Sequence, residues 1–237
     1  MARINEFGQL IGDAVPGWTP RPYPPATPMQ GRFGRLEPLS ATSHAASLYQ
    51  AFSRAPDGRL WTYVPSEPPQ SLGDMAQALE TRTSAGDLVM NAILDRSGSA
   101  LGYAAFMRID PKVGGVEVGH VVFSPALQRS PLATEAMYLM MRRAFDELGY
   151  RRYEWKCDSL NAPSRRAAER LGFRYEGTFR NAMVLKGRNR DTAWFSIIES
   201  EWPVVKAALE AWLDPANFDS TGQQRRRLEE IRAALGQ

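Results

Sequence analysis

The chain has 237 residues, 43% apolar and 23% charged, the balance of a soluble globular protein with one sizeable core. Its 29 Lys and Arg against 26 Asp and Glu leave a net charge of +3, too small by itself to mark a nucleic-acid binder. A single cysteine and two histidines exclude a disulfide framework and a Cys- or His-rich metal site, and no apolar run nears the ~20 residues that span a bilayer.

Residues 1–31 are rich in Pro and Gly and predict an extended surface arm, with Trp18 and Tyr23 as anchors. The segment lacks the apolar core of a secretory signal, so a cytoplasmic location is expected. A first strand is predicted over 33–38, then a helix over 43–53 capped by Ser43. A Pro-punctuated loop over 56–69 carries Trp61 and Tyr63, and Ser71 caps a second helix over 72–83. Strands over 88–94, 101–109 and 116–123, joined by short turns, read as an antiparallel meander.

The strongest helical pattern covers 132–148, with Ala133, Met137, Met140, Met141, Ala144, Phe145 and Leu148 on one stripe and Gly149 at its end. Core packing accounts for its methionines. A strand over 152–157 turns Tyr153, Trp155 and Cys157 to one face, and a helix over 162–171 ends at Gly172. Strands over 178–185 and 192–198 flank a hairpin turn at 186–191. A helix runs from Glu201 to about Leu213, and a polar, peripheral helix is expected from Ser220. This order predicts an α/β (α+β) class fold. The chain divides into an arm (1–31), a main domain (32–200) and a C-terminal helical extension (201–237).

Chemistry concentrates between Val116 and Ala136, where a strand ends, a short loop follows and a helix opens at Pro131. The first turn of such a helix offers unpaired N–H groups and a positive dipole end, which favour a pyrophosphate. Gln128, Arg129, Ser130, Leu132, Ala133 and Thr134 can each point an N–H at it, and Arg129 and Thr134 add side-chain donors. Pro131 has no N–H, but its fixed φ suits the first helical position. Every strand–loop–helix junction has such groups, so this signal is weak alone.

A second stretch sharpens it. Glu117-Val118-Gly119-His120, Gln128 with Ala133-Thr134-Glu135-Ala136, Asn161 with Ser164, and Arg170-Leu171-Gly172-Phe173 together resemble the GCN5-related N-acetyltransferase (GNAT) superfamily. Within it they resemble the ribosomal-protein alanine acetyltransferase (RimJ/RimL)-like branch, over about residues 32–200. The resemblance implies one GNAT-like domain, its mixed, mostly antiparallel sheet flanked by helices. The sheet would splay into a V between the fourth and fifth predicted strands, 116–123 and 152–157. It implies acetyl-CoA as co-substrate, without a metal. The main chain of Val121, Val122 and Phe123 would hold the pantetheine arm, and Asn161 would hydrogen-bond it. One departure stands out: the family's phosphate loop usually reads Gln/Arg-x-x-Gly-x-Gly/Ala, and here Pro131 replaces the first glycine.

The implied activity is transfer of an acyl group, acetyl first, from coenzyme A to a primary amine of a small molecule or peptide. Glu117 is the first candidate for general base and His120 the second; strict alternation puts them on opposite faces unless the strand bulges. Ser164 is the candidate proton donor to the thiolate, or else a helix-cap hydroxyl. Cys157 has no visible His–Asp partner and sits at an apolar strand position, so direct transfer is preferred to a covalent acyl-enzyme. Trp61, Tyr63, Asp158 and Asp191 are candidate acceptor contacts. Other readings are an acyl-CoA-binding regulatory module without transferase activity and an enzyme using succinyl or another acyl donor. A homodimer is compatible with the sequence; membrane and nucleic-acid partners are not favoured, despite the arginines of the second half.

Overall fold

Of the 237 residues, the computed structural model describes 3–236. Two short strands, β1 (Arg3–Ile4) and β2 (Leu10–Ile11), pair only with each other. An eight-stranded sheet follows, built from β3 (Met29–Gln30), β4 (Gly34–Pro38), β5 (Val89–Asp95), β6 (Ala100–Asp110), β7 (Gly115–Phe123), β8 (Arg152–Asp158), β9 (Arg174–Leu185) and β10 (Arg188–Ile198). Its order is β3-β4-β5-β6-β7-β8-β10-β9, and every pairing is antiparallel except β7 with β8.

The described residues form six α-helices: α1 (Ala41–Ser53), α2 (Leu72–Thr83), α3 (Pro131–Arg142), α4 (Ala162–Leu171) and α5 (Trp202–Leu213), which flank the sheet, and α6 (Leu228–Leu235), which packs on α5 and α4. Alternation along the strands sorts the apolar side chains into two cores. Leu48, Phe52, Trp61, Met75, Leu79 and Tyr103 fill the layer with α1 and α2. Met137, Met141, Phe145, Tyr153, Trp155 and Phe195 belong to the layer with α3 and α5. The methionines of α3 are thus core residues.

Most expected elements form, with four instructive shifts. Helix α1 starts earlier than residue 43, because Ser40 rather than Ser43 is its N-cap: the Ser40 hydroxyl accepts the Ser43 N–H. The long helical pattern ends in a π-turn, Arg143–Glu147, before Gly149. The hairpin turn shrinks from 186–191 to Lys186 and Gly187, whose φ values of 49° and 71° are those a two-residue turn between twisted strands requires. Finally, the C-terminal helix begins at Leu228 and is not peripheral. Leu228 and Ile231 are buried, and Arg232 Nη1 donates to the Arg170 carbonyl at 2.6 Å.

The N-terminal arm lies against the body. Trp18 Nε1 donates to the Lys112 carbonyl at 2.8 Å, with the Arg21 guanidinium 4.2 Å over its ring. Tyr23, the other expected anchor, stays exposed. Its place is taken by buried Arg143, which donates to the carbonyls of Thr27 and Pro28, and by Tyr150, which donates to that of Pro22. Strand β9 forms the far edge of the sheet, with Tyr175, Phe179, Met183 and Val184 exposed along it.

Candidate active site

The parallel ladder between β7 and β8 is short. It pairs Gly115 with Arg152 through Val118 with Trp155, and there it stops. Residues 119–123 go on pairing with β6, while Lys156, Cys157 and Asp158 pair with β10. The two strands part into a V, leaving one side of β7 without a strand neighbour. Phe123 illustrates the result: its carbonyl accepts the Gln128 side-chain amide at 3.0 Å.

A bulge sits inside the open half of β7. Gly119 pairs with Ala105 and Val122 with Tyr103, so three steps on β7 face two on β6. His120, at φ 49°, absorbs the mismatch. Strict alternation between Glu117 and His120 is therefore broken. A Cβ on Gly119 would meet the Met107 thioether, so any larger residue beside the bulge would have to displace that flexible side chain. Val122 enters the α1/α2 core, and Val121 and Phe123 pack on the α3 side. Burial pushes the His120 imidazole below its ordinary value; Arg82 and Arg108 push the same way and Asp87 opposes them.

The loop before α3 supplies fewer free donors than expected. Ser130 is the N-cap, its hydroxyl accepting the Ala133 N–H at 3.1 Å and donating to the Leu127 carbonyl at 2.6 Å. The N–H groups of Gln128 and Ser130 donate to the carbonyls of Ser124 and Leu127. Those of Arg129 and Leu132 have no partner among the described residues. Thr134 turns inward: its hydroxyl is buried and accepts from Arg170 Nη1 at 3.1 Å. An anion at this helix end would meet two free N–H groups, the dipole and the exposed Arg129 side chain.

Glu117 lies just before the V opens and is 4% exposed. Its Oε2 accepts from Arg108 Nη1 at 2.7 Å and lies 2.9 Å from Lys156 Nζ. Oε1 takes no hydrogen bond from a described residue. Sequence reasoning named Glu117 but missed Arg108, Lys156 and Glu154. Alternation along β8 could have put Glu154 and Lys156 on one face; only the β7–β8 register could put Glu117 beside them.

At the start of α4, Asn161 is the N-cap, its Oδ1 accepting the Ser164 N–H at 3.1 Å. Ser164 is therefore not the cap. Its hydroxyl accepts the Trp155 indole N–H at 3.0 Å and lies beside Cys157. Burial pushes the Cys157 thiol up, with Ser164 and the nearby arginines opposing in part.

The expected acceptor contacts do come together, but largely as scaffold. The Tyr63 hydroxyl donates to the Leu160 carbonyl, and Lys186 Nζ donates to that of Trp61 at 2.9 Å. Trp61 is buried edge-on against Phe52, and the two rings share the wall of a small cleft with Pro68 and Pro69. Asp158 accepts the Leu160 N–H, and Asp191 accepts the Asn181 N–H. Among the described residues, no group of three or more His, Cys, Asp or Glu side chains is placed to hold a metal ion.

Comparison with known proteins identifies the fold. Residues 35–174 match the acetyltransferase (GNAT) domain family. A crystal structure of a GCN5-related N-acetyltransferase from Brucella melitensis is 48% identical, with a TM-score of 0.90, over 92% of this chain and 100% of that one. The uncharacterized N-acetyltransferase YnaD of Bacillus subtilis is 31% identical over 86 residues, 36% of this chain and 50% of YnaD, so the match spans half of that relative. YdaF of the same organism, named as a ribosomal N-acetyltransferase, is 27% identical over 44% of this chain and 57% of its own length.

Proposed function

We propose that this chain, which belongs to the GNAT family of N-acetyltransferases, transfers the acetyl group of acetyl-CoA to a primary amine by direct attack. The observation that carries the reading is the parting of β7 and β8 beyond Val118 and Trp155, beside the N-terminus of α3. An extended amide-bearing arm can add to the free side of β7 as a strand would.

The residues present fit the co-substrate. Main-chain groups of Val121 and the N–H of Phe123, whose carbonyl already accepts from Gln128, would pair with pantetheine, with Val122 directed to the core. The N–H groups of Arg129 and Leu132 and the Arg129 guanidinium would take the pyrophosphate. Asn161 has its Oδ1 committed to the cap and would offer Nδ2. When bound, acetyl-CoA supplies a thioester: the amine nitrogen bonds the carbonyl carbon, the C–S bond breaks, and its electron pair leaves on sulfur. Glu117 accepts the amine proton through Oε1, directly or through water. Ser164, which keeps its hydroxyl proton while accepting from Trp155, donates to the sulfur. His120 is the second candidate base; its depressed pKa keeps the imidazole neutral and able to accept.

The acceptor is a small molecule or a peptide; the name of YdaF lends support to a peptide. No helix among the described residues is long and apolar enough to cross a membrane. A cytoplasmic location is part of the proposal and rests on the sequence composition alone. Pro131 in the phosphate loop is the feature that favours one rival, a module that binds acyl-CoA without transferring from it. Calorimetry with coenzyme A, followed by a thiol-release screen of amines against several acyl donors, separates the two. Binding with amine-dependent thiol release is expected. Binding without release from any amine favours the module, and no heat at millimolar ligand sinks both.

A further inference from the structure

The parallel ladder sets Glu117 directly opposite Glu154. Like charges facing each other across a ladder repel, and one of these is almost fully buried. Lys156 resolves the conflict. Its Nζ lies 2.9 Å from Glu117 Oε2 and 2.7 Å from Glu154 Oε2, and its side chain is only 6% exposed. Trp194 covers it, with Nζ 3.7 Å from the ring centroid, and Trp194 packs in turn on Phe179 at 4.5 Å. Arg108 and Arg152 close the row, on Glu117 Oε2 at 2.7 Å and on Glu154 Oε1 at 2.6 Å.

Both cations on Glu117 take the same oxygen. The other, Oε1, points toward the start of the V, where a Cβ on Gly119 would lie 3.6 Å from it. Burying an ammonium group costs it most of its hydration, and replacing a buried ion pair by apolar groups is often neutral or stabilising. Packing alone therefore gives little reason for a lysine at this position. Resting on the reading of Glu117 as the base, we propose that Lys156 is a positioning residue for acyl transfer: it anchors Glu117 through Oε2 so that Oε1 meets the acceptor amine, under the cover of Trp194.

The test is a double-mutant cycle on the full chain, using Lys156→Met, Glu117→Gln and the pair together. Lys156→Met should lower kcat about tenfold or more while the KM for acetyl-CoA stays within about twofold, and Lys156→Arg should recover most of the loss. In the Glu117→Gln background, Lys156→Met should cost nothing further. An equal loss in both backgrounds overturns the role of Lys156 and leaves Glu117 as the base. Wild-type turnover in Glu117→Gln overturns the base reading, and this proposal with it. If Lys156→Met fails to fold, Glu154→Gln/Lys156→Met removes one charge of each sign and should show the same loss of kcat. A crystal structure of the folded variant, without ligand, should show the Glu117 carboxylate rotated away from Gly119; an unmoved carboxylate overturns the proposal without any assay.

Discussion

Glu135 offers a demanding test of how α3 is fixed to the sheet. Its carboxylate is buried and accepts three backbone N–H groups at the start of β4: Arg32 on Oε1 at 2.6 Å, and Phe33 and Gly34 on Oε2 at 2.8 and 3.2 Å. Glu135→Ala leaves all three donors without the acceptor. The Gly34 contact is buried and should cost about 2 kcal/mol, the two half-buried ones about 1 kcal/mol each, for a total of about 4 kcal/mol. For a chain of this size that lowers Tm by on the order of 10 °C. Glu135→Gln is the sharper variant. Its NH2 must replace one oxygen and face at least one N–H, so it should still lose about 1.5–3 kcal/mol despite matching shape. Urea denaturation monitored by far-UV circular dichroism gives both values. A Glu135→Gln protein within about 0.5 kcal/mol of wild type would refute the argument that three amides need an anion here.

Three further outcomes are expected. Ser164→Ala should lower kcat about ten- to a hundredfold, toward the low end for acid catalysis. Because Asn161 holds the α4 cap, stability should fall by no more than about 1 kcal/mol, from the orphaned Trp155 indole; a stability loss at unchanged rate would remove Ser164 from the mechanism. Burial holds the folded His120 below its ordinary value of 6.5, so the unfolded chain binds the extra proton first and stability falls as pH drops through that window. His120→Gln should lessen the fall in Tm as pH drops below the ordinary imidazole value of 6.5, and parallel curves would contradict the burial. Cys157→Ala should keep wild-type turnover, and the raised thiol should react slowly with Ellman's reagent in the native state. Loss of turnover in that variant would revive a covalent route.

The sequence was most legible where local signals sufficed. Ser71 caps α2 and Gly172 ends α4 in a left-handed conformation, as their patterns predict. The hairpin turn is shorter than its polar run suggests because Arg188-Asn189-Arg190-Asp191 is polar at every position, yet only its first two residues are exposed and the strand pairs through all of it but Asp191. The Ser40 cap is hard to read from sequence because Ser40 and Ser43 both precede an equally plausible start, and full burial begins only at His44 and Ala45. For the site, motif residues such as Glu117, His120 and Asn161 could be named in advance. Their partners could not, because the register that joins β7 to β8 is set by the crossover through α3, and nothing local encodes it. The inward turn of Thr134 toward Arg170 is likewise a tertiary fact.

The exposed rim formed by β9 has a bearing on how the protein behaves at high concentration. A long outer strand carrying Tyr175, Phe179, Met183 and Val184 offers its unpaired amides to any passing chain. Here the hairpin register slips twice, at Arg190/Thr192 and at Trp194/Phe195, and Arg174 and Arg180 project from the rim as exposed charges. Kinks and cations together spoil the flat template that fibril growth requires, so solubility is guarded by the irregularity of the strand itself.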